Sequence, residues 1–117
     1  MEEHRPQRAH LVPPILLGLG SSDIVDEYDL SSLKMAISAA APLSKEVEEN
    51  VFKKTGIQVK QVWGMSELSP IGTYTSDYNI KPGSVGPPAS DTLCKVIDVI
   101  SGKSLGPHES GELLIKV

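Results

Sequence analysis

A strand, a helix and a second strand follow one another between residues 34 and 63, and this unit most constrains the fold of the chain. Lys34–Ser38 is short and mostly apolar, Ser44–Lys54 has the pattern of a helix, and Gln58–Trp63 contains β-branched and aromatic residues. A helix that joins two strands in this way makes them parallel, with a right-handed crossover. The sequence therefore predicts an α/β fold built on a parallel sheet.

The helix of this unit carries signals at both of its ends. Ser44 is placed to cap the N-terminus, and Gly56 is placed to end the helix. Val47 and Val51 lie four residues apart, which puts them on one face. The helix is therefore the element that the sequence predicts most clearly.

Proline and glycine divide the segment before this unit. His10–Val12 is predicted as a strand that two prolines stop, and Ile15–Gly20 as a helix that Gly18 and Gly20 end early. Asp29 is placed to cap a single turn over residues 31–33. These elements are all short.

The chain changes character after Glu67, where five prolines punctuate short runs of residues. Cys94–Ile100 and Glu112–Val117 are predicted as strands, with Ser101–Ser104 as the turn between them. We therefore expect a parallel α/β portion over residues 1–78 and a small antiparallel β portion over residues 79–117. The boundary is predicted near residues 78–83.

The segment Trp63-Gly64-Met65-Ser66-Glu67 leads out of the second strand into a polar loop. An aromatic ring can stack on a base, a hydroxyl can contact a phosphate, and a carboxylate can hold Mg²⁺, which prefers oxygen ligands. The parts of a Mg·ATP site therefore lie within one short segment. Taken alone, the segment is more typical of a buried Trp followed by a capping Glu, since short motifs match by chance often.

Sequence motifs on both sides of this segment favour the Mg·ATP site over the structural interpretation. They are Val12-Pro13-Pro14-Ile15, Tyr28-Asp29-Leu30-Ser31-Ser32-Leu33, Ala40-Ala41-Pro42-Leu43-Ser44-Lys45-Glu46, Lys81-Pro82-Gly83-Ser84-Val85-Gly86 and Gly111-Glu112-Leu113-Leu114-Ile115. In this order and spacing the chain resembles the central part of the adenylate-forming enzymes: acyl-CoA synthetases, 4-coumarate-CoA ligases and firefly luciferase. The resemblance extends from about His10 to Val117, and it implies an incomplete part of a larger adenylate-forming domain.

The resemblance implies a nucleotide role for residues that match the family motifs. Trp63 stands where an aromatic ring lies against adenine, Ser66 where a hydroxyl meets the phosphate, and Glu67 where a carboxylate binds Mg²⁺. Ser66 and Glu67 are thus the implied catalytic pair, with Glu67 as the metal ligand. The implied ATP- and AMP-binding residues are Ala40, Ala41, Pro42, Trp63, Gly64, Met65 and Ser66.

The resemblance also implies a set of acyl-substrate residues, namely Ala39, Gln61, Val62, Pro70 and Ile71. Many relatives have glycine at the positions of Ala39 and Val62. The added methyl and isopropyl groups should narrow the acyl pocket, because packed sites respond to single methylenes. An aliphatic or small acid is therefore at least as well favoured as a bulky planar acid such as coumarate.

The implied reaction joins a small-molecule carboxylic acid to the thiol of CoA, through an acyl-adenylate, with ATP, Mg²⁺ and CoA as cofactors. The family's Ser/Thr/Gly-rich loop that ends in Pro-Lys-Gly has no match in the chain, and neither has its C-terminal lysine domain. We therefore expect a fragment of a longer enzyme that is inactive alone. The alternative is a truncated, non-enzymatic product that acts as a binding or regulatory module.

Composition limits the other classes of function. At 117 residues the chain has the length of one domain, and its net charge of −4 leaves no basic footprint for nucleic acid. Cys94 is the only cysteine, which excludes a disulfide framework and a cysteine zinc site. The longest apolar phrase, Leu11–Leu19, is interrupted by prolines and glycine, so no membrane span is expected. An intracellular location, cytoplasmic or peroxisomal, is expected; protein partners are not indicated.

Two further features resemble sites but lack the necessary context. Gly102-Lys103-Ser104 ends like a Walker loop, but Ile97 stands where that pattern needs a glycine, and a strand follows instead of a helix. The three histidines are scattered, and no carboxylate or serine lies beside them at a spacing that would indicate a catalytic triad. Surface or packed histidines are therefore favoured over a catalytic triad.

Overall fold

A computed structural model describes all 117 residues, which form six strands and two α-helices. Two short 3₁₀ helices, Asp23–Glu27 and Ser66–Leu68, complete the regular structure. The strands and helices are β1 (Arg8–Leu11), α1 (Pro13–Ser21), β2 (Met35–Ser38), α2 (Lys45–Thr55), β3 (Gln58–Gly64), β4 (Ile71–Tyr74), β5 (Leu93–Ile97) and β6 (Glu112–Lys116).

The larger sheet has the strand order β1-β2-β3-β4. Its first three strands are parallel, and β4 runs antiparallel to β3. The unit β2-α2-β3 is the predicted strand-helix-strand crossover, and β5 and β6 form the predicted small antiparallel sheet. The α/β fold class is therefore confirmed.

The hydrophobic core lies where the two helices pack against each other and against the parallel strands. Seven buried residues form it: Leu16, Leu33, Ala36, Leu43, Val51, Ile57 and Val59. Val47 packs against this cluster from its edge. The face of α2 that carries Val47 and Val51 is therefore the buried face, as the spacing predicted.

The ends of α2 have the predicted caps. The Ser44 hydroxyl accepts a hydrogen bond from the backbone N–H of Val47, at 3.4 Å. Gly56 adopts a positive φ of 71° and donates its N–H to the carbonyl of Phe52. A left-handed residue at this position is the usual way to end a helix, and glycine adopts that conformation without steric cost.

The prediction that Gly18 and Gly20 end the first helix early is wrong, because α1 continues through both to Ser21. A Cβ added at Gly20 would lie only 3.2 Å from the backbone nitrogen of Val51. Gly20 is thus a contact residue that lets α1 approach α2 closely. The preceding strand, β1, starts at Arg8 instead of His10, since Arg8 pairs with Met35 of β2.

Three short elements were not predicted from the sequence: β4 and the 3₁₀ helices Asp23–Glu27 and Ser66–Leu68. Strand β5 ends at Ile97, three residues before the predicted end, because the Asp98 carboxylate accepts hydrogen bonds from the N–H groups of Ile100 and Ser101 and starts the turn there. These contacts lower the pKa of the Asp98 carboxyl.

The segment between the two sheets returns to the edge of the larger one. Pro87 accepts a hydrogen bond from the N–H of Tyr74, and Ala89 donates its N–H to the carbonyl of Gly72. These bonds cross the predicted division between residues 1–78 and 79–117, which stays a prediction. Neither helix of the chain is both long enough and apolar enough to span a membrane.

Candidate functional site

A cavity of about 570 Å³ opens where β2 and β3 end. It brings together every predicted site residue except Glu67, and it adds three residues that were not predicted: Leu43, Gly83 and Val85. The predicted residues on its wall are Ala39, Ala40, Ala41, Pro42, Gln61, Val62, Trp63, Gly64, Met65, Ser66, Pro70 and Ile71. Residues from three separate loops therefore meet at one place.

The first wall is the loop that follows β2. Ala40 has a φ of +74°, a left-handed conformation that is uncommon outside glycine. The backbone N–H and C=O groups of Ala40 and Ala41 form no hydrogen bond within the chain. This loop therefore presents unpaired backbone donors and acceptors beside the cavity.

The second wall is the end of β3, where the backbone is constrained by a close approach. The pairing of β3 with β4 shifts register between Trp63 and Gly64. A Cβ added at Gly64 would lie 1.8 Å from the carbonyl oxygen of Pro70 and 2.8 Å from the Cα of Ile71. Only glycine fits at this point, and the approach brings Pro70 and Ile71 to the cavity.

Trp63 is 36% exposed, so its side chain is neither fully buried nor free in solvent. Its ring packs against Gly72, where an added Cβ would lie 2.9 Å from Cζ3. One part of the indole therefore rests on the protein while the rest stays accessible. An aromatic surface of this kind can receive a planar ligand.

Gln61 lies on the cavity wall, but its polar group is already engaged. Its side-chain nitrogen donates to the carbonyl of Leu43 at 2.9 Å and to a carboxylate oxygen of Glu48 at 2.6 Å. Its side-chain oxygen accepts from the N–H of Leu43 at 3.4 Å. Both amide hydrogens are used, so Gln61 fastens the loop after β2 and has no free donor for a ligand.

Glu48, in the first turn of α2, is the partner that sequence reasoning missed. Only 3% of the residue is exposed, and its second carboxylate oxygen accepts a hydrogen bond from the N–H of Gly83 at 3.2 Å. Burial raises the pKa of the Glu48 carboxyl, against the opposing effect of the bond from Gln61. The available signal was its spacing: it lies three residues before Val51, on the buried face of the helix.

Ser66 and Glu67 lie on the 3₁₀ turn that follows β3. Ser66 lines the cavity, whereas Glu67 is exposed beside it and makes no hydrogen bond or ion pair within the chain. No cluster of three or more His, Cys, Asp or Glu side chains exists that could hold a metal by itself. A single free carboxylate fits the way Mg²⁺ is bound in nucleotide sites, by one or two carboxylates together with phosphate oxygens.

A charged network ties the sheet together on the face opposite Gln61. Lys60 donates to the carbonyl of Thr75 at 3.0 Å and to the carboxylate of Asp77, and Arg8 donates to the other Asp77 oxygen at 2.6 Å. The hydrogen bond from Arg8, with that from Lys60, lowers the pKa of the Asp77 carboxyl to about 2. The network joins β1 and β3 to the segment that follows β4.

The whole chain, residues 1–117, matches the model of a family described as AMP-binding enzyme. The chain belongs to the AMP-binding enzyme family. This confirms the resemblance that the sequence motifs indicated.

Two curated relatives illustrate the similarity of this AMP-binding family member. The luciferin 4-monooxygenase of Photuris pensylvanica is 38% identical over 117 residues, which are 99% of this chain and 22% of the relative. A probable 4-coumarate–CoA ligase of Dictyostelium discoideum is 39% identical over 118 residues, 99% of this chain and 21% of the relative. The chain thus spans about a fifth of the length of these relatives.

Solved structures of the AMP-binding family share the fold. An anthranilate CoA ligase in complex with anthranoyl-AMP superposes with a TM-score of 0.85 at 26% identity, over 98% of this chain and 22% of that one. ATP-bound MatB from Rhodopseudomonas palustris superposes with a TM-score of 0.84 at 27% identity, over 97% of this chain and 22% of that one. A long-chain-fatty-acid–CoA ligase from Archaeoglobus fulgidus superposes with a TM-score of 0.81 at 31% identity, over 98% of this chain and 25% of that one.

Proposed function

We propose that this chain provides the adenylate- and acyl-binding part of an ATP-dependent acid–thiol ligase. In the proposed reaction a carboxylate attacks the α-phosphate of ATP to give an acyl-adenylate and pyrophosphate, and the thiol of CoA then displaces AMP. The observation that carries the proposal is the single cavity on which all predicted nucleotide and acyl residues lie, with Glu67 beside it. Members of the family named above as CoA ligases support the reaction class.

The nucleotide part of the proposal rests on complementary surfaces. Trp63 offers a partly exposed ring for stacking, and the unpaired backbone groups of Ala40 and Ala41 offer hydrogen bonds to the edge of a base. The methyl side chains of that loop leave space beside the ring. We therefore assign adenine to the space between the loop after β2 and Trp63.

The phosphate part of the proposal uses the 3₁₀ turn after β3. Ser66 would contact a phosphate from the cavity wall, and Glu67 would hold Mg²⁺ together with phosphate oxygens. Mg²⁺ would neutralise charge on the phosphates and act as a Lewis acid on the α-phosphate. These residues supply one carboxylate and one hydroxyl.

The acyl part of the proposal rests on the apolar character of the cavity. Nine of its fifteen lining residues are hydrophobic, and the amide of Gln61 is fully engaged with Leu43 and Glu48. The side chains of the predicted acyl residues therefore offer no free polar group, which favours a substrate chain without one, because a buried polar group needs a partner. We therefore propose an acid with an apolar chain, in a pocket that Ala39 and Val62 narrow.

Fluorescence of the single tryptophan tests nucleotide binding directly, since Trp63 is the only Trp in the chain. Titration with AMP should quench or shift its emission in a saturable way, and GMP at equal concentration should do so only weakly. Hydrolysis-resistant acyl-sulfamoyl adenosines should bind more tightly than AMP. Equal responses to AMP and GMP, or no saturable response to either, would contradict the proposal.

Calorimetry on variants tests the role of Trp63 without using it as the reporter. Trp63→Ala should weaken binding of AMP by about 1–3 kcal/mol, the usual value of stacking between a base and an aromatic side chain. Tyr78→Ala is the matched control, because Tyr78 is a fully exposed aromatic residue outside the cavity. AMP binding that is unaffected in Trp63→Ala would exclude stacking on this ring.

Acyl specificity can be measured with the same mimics. Sulfamoyl adenosines of straight-chain acids should bind more tightly than the coumaroyl compound, and Val62→Gly should reverse or remove the difference. A wild-type preference for the coumaroyl compound would contradict the proposed narrowing by Val62.

A further inference from the structure

We infer that Glu48 is a positioning residue for the nucleotide cavity: its buried carboxylate clamps two of the loops that form the wall. The inference rests on the proposed function and deepens it. Glu48 does not line the cavity. It acts instead through Gln61 and Gly83, which both do.

The two oxygens of the carboxylate reach two different loops. One accepts the hydrogen bond from the Gln61 side chain at 2.6 Å, and Gln61 in turn holds both backbone groups of Leu43. The other accepts from the N–H of Gly83 at 3.2 Å. Glu48 therefore links α2 to the loop after β2 and, separately, to the loop that carries Gly83 and Val85.

The clamp explains how a loop without hydrogen bonds of its own keeps its place. Ala40 and Ala41 form none within the chain, and their loop is fastened where Leu43 meets Gln61. On the opposite side, Gly83 is an exposed residue whose N–H is held by a buried group. One side chain of α2 therefore contacts both walls of the cavity.

A carboxylate is the side chain that suits this place. Both partners are donors, and Glu presents two acceptors, whereas Gln at the same position would present one acceptor and one donor. A buried carboxylate carries a desolvation cost that an apolar residue would not, so stability alone does not explain its presence beside Val51 in the core. Holding both loops at once does explain it.

Glu48→Gln tests the clamp, with Glu49→Gln as the matched control on the exposed face of the same helix. In Glu48→Gln only one of the two bonds can survive. We expect amide hydrogen exchange at Gly83 or Leu43 to accelerate at least tenfold and the Kd for AMP to rise at least tenfold, measured below the melting temperature of the variant. Glu49→Gln should leave both within twofold of the wild type.

Each outcome bears on a different part of the inference. Accelerated exchange with an unchanged Kd for AMP would make Glu48 structural and overturn its positioning role. Unchanged exchange at both amides would overturn the clamp itself. A wild-type chain that does not bind AMP would contradict the proposed function, while the exchange rates would still decide whether the clamp exists.

If Glu48→Gln does not fold, amide hydrogen exchange of the wild-type chain tests the inference instead. The amide of Gly83 should be protected from exchange although the residue is exposed, and saturation with AMP should slow its exchange further, at least threefold. An unprotected Gly83 amide, or protection that AMP leaves unchanged, would overturn the inference.

Discussion

The ring of Trp63 and the backbone of Gly72 are in direct contact across the antiparallel pair β3–β4. A Cβ added at position 72 would lie 2.9 Å from Cζ3 of Trp63 and 2.7 Å from Cδ1 of Leu68. Real Cβ atoms do not approach other carbon atoms so closely, so the absence of a side chain at Gly72 fixes how the indole sits. The position of the proposed stacking surface therefore depends on a residue outside the cavity wall.

Gly72→Ala should displace the ring of Trp63. We expect a loss of about 1–3 kcal/mol in the free energy of unfolding, the usual cost of forcing a methyl group into a packed site, together with a shift of tryptophan emission. Gly18→Ala is the control, because nothing lies within 4 Å of a Cβ at that helical position. It should add about 0.5–1 kcal/mol of stability and leave the emission unchanged. Identical emission spectra for the wild type and Gly72→Ala would disprove the contact.

Gly64→Ala should have a larger effect than Gly72→Ala. The atoms that a new Cβ would meet at position 64 belong to the backbone of Pro70 and Ile71, which cannot move aside without separating β3 from β4. We expect a loss of roughly 3 kcal/mol, at the upper end of the range for overpacked sites. Urea denaturation of the two variants side by side gives the comparison, and a smaller loss in Gly64→Ala than in Gly72→Ala would be the contrary result.

Glu67→Gln should separate magnesium binding from stability. Glu67 is exposed and has no partner within the chain, so the free energy of unfolding should stay within about ±0.5 kcal/mol of the wild type. The gain in ATP affinity on adding Mg²⁺ should fall, because an amide holds Mg²⁺ less well than a carboxylate. Glu46→Gln, on the exposed start of α2, should keep the full gain. A variant that melts many degrees lower would show that Glu67 serves the fold.

Asp77→Asn should destabilise the chain in a pH-dependent way. Lys60 has only 10% of its side chain exposed, and it would lose its charged partner. The pKa of Asp77 is lowered from 3.8 to about 2, so the folded state favours the carboxylate, and its contribution to stability is complete above about pH 4. That contribution is lost as the pH falls toward 2.

Thermal melts at several pH values test whether the stabilisation by Asp77 decreases as the pH falls. The difference in Tm between the wild type and Asp77→Asn should be constant from pH 7 to about 5 and should shrink between about pH 4 and 2. Glu27→Gln, at an exposed position without ion pairs, is the control and should show little difference at any pH. A Tm difference that grows on acidification would contradict the depressed pKa of Asp77.

The parallel part of the fold was predictable because its signals are local. Ser44 and Gly56 mark the ends of α2 within a few residues of the helix, and the apolar runs on either side mark β2 and β3. The segment from Trp63 to Ser66 and the loop after β2 were assigned to one site through the family resemblance. They lie together in the structure because both follow neighbouring parallel strands, whose carboxyl ends share one edge of the sheet.

What the sequence did not reveal depends on contacts between distant residues. A glutamate on a helix is usually exposed to solvent. Glu48 can be buried only because Gln61 and Gly83 donate hydrogen bonds to its carboxylate. Gly20 resembles a helix breaker until α2 lies against it. Strand β4 has four residues with one glycine, too short a run to show a period before its partner β3 is known.

The loop after β2 contacts the proposed base through its backbone, whereas side chains elsewhere hold that backbone in place. This determines which positions of the chain tolerate substitution. If main-chain groups of Ala40 and Ala41 contact the base, then base recognition requires only that the side chains at these two positions are small. The strong constraint falls on Gln61 and Glu48, which never touch the base but fix the path of the backbone that does. Nucleotide binding would then be lost more readily by mutation of Gln61 or Glu48 than by exchange of Ala40 or Ala41 for another small residue.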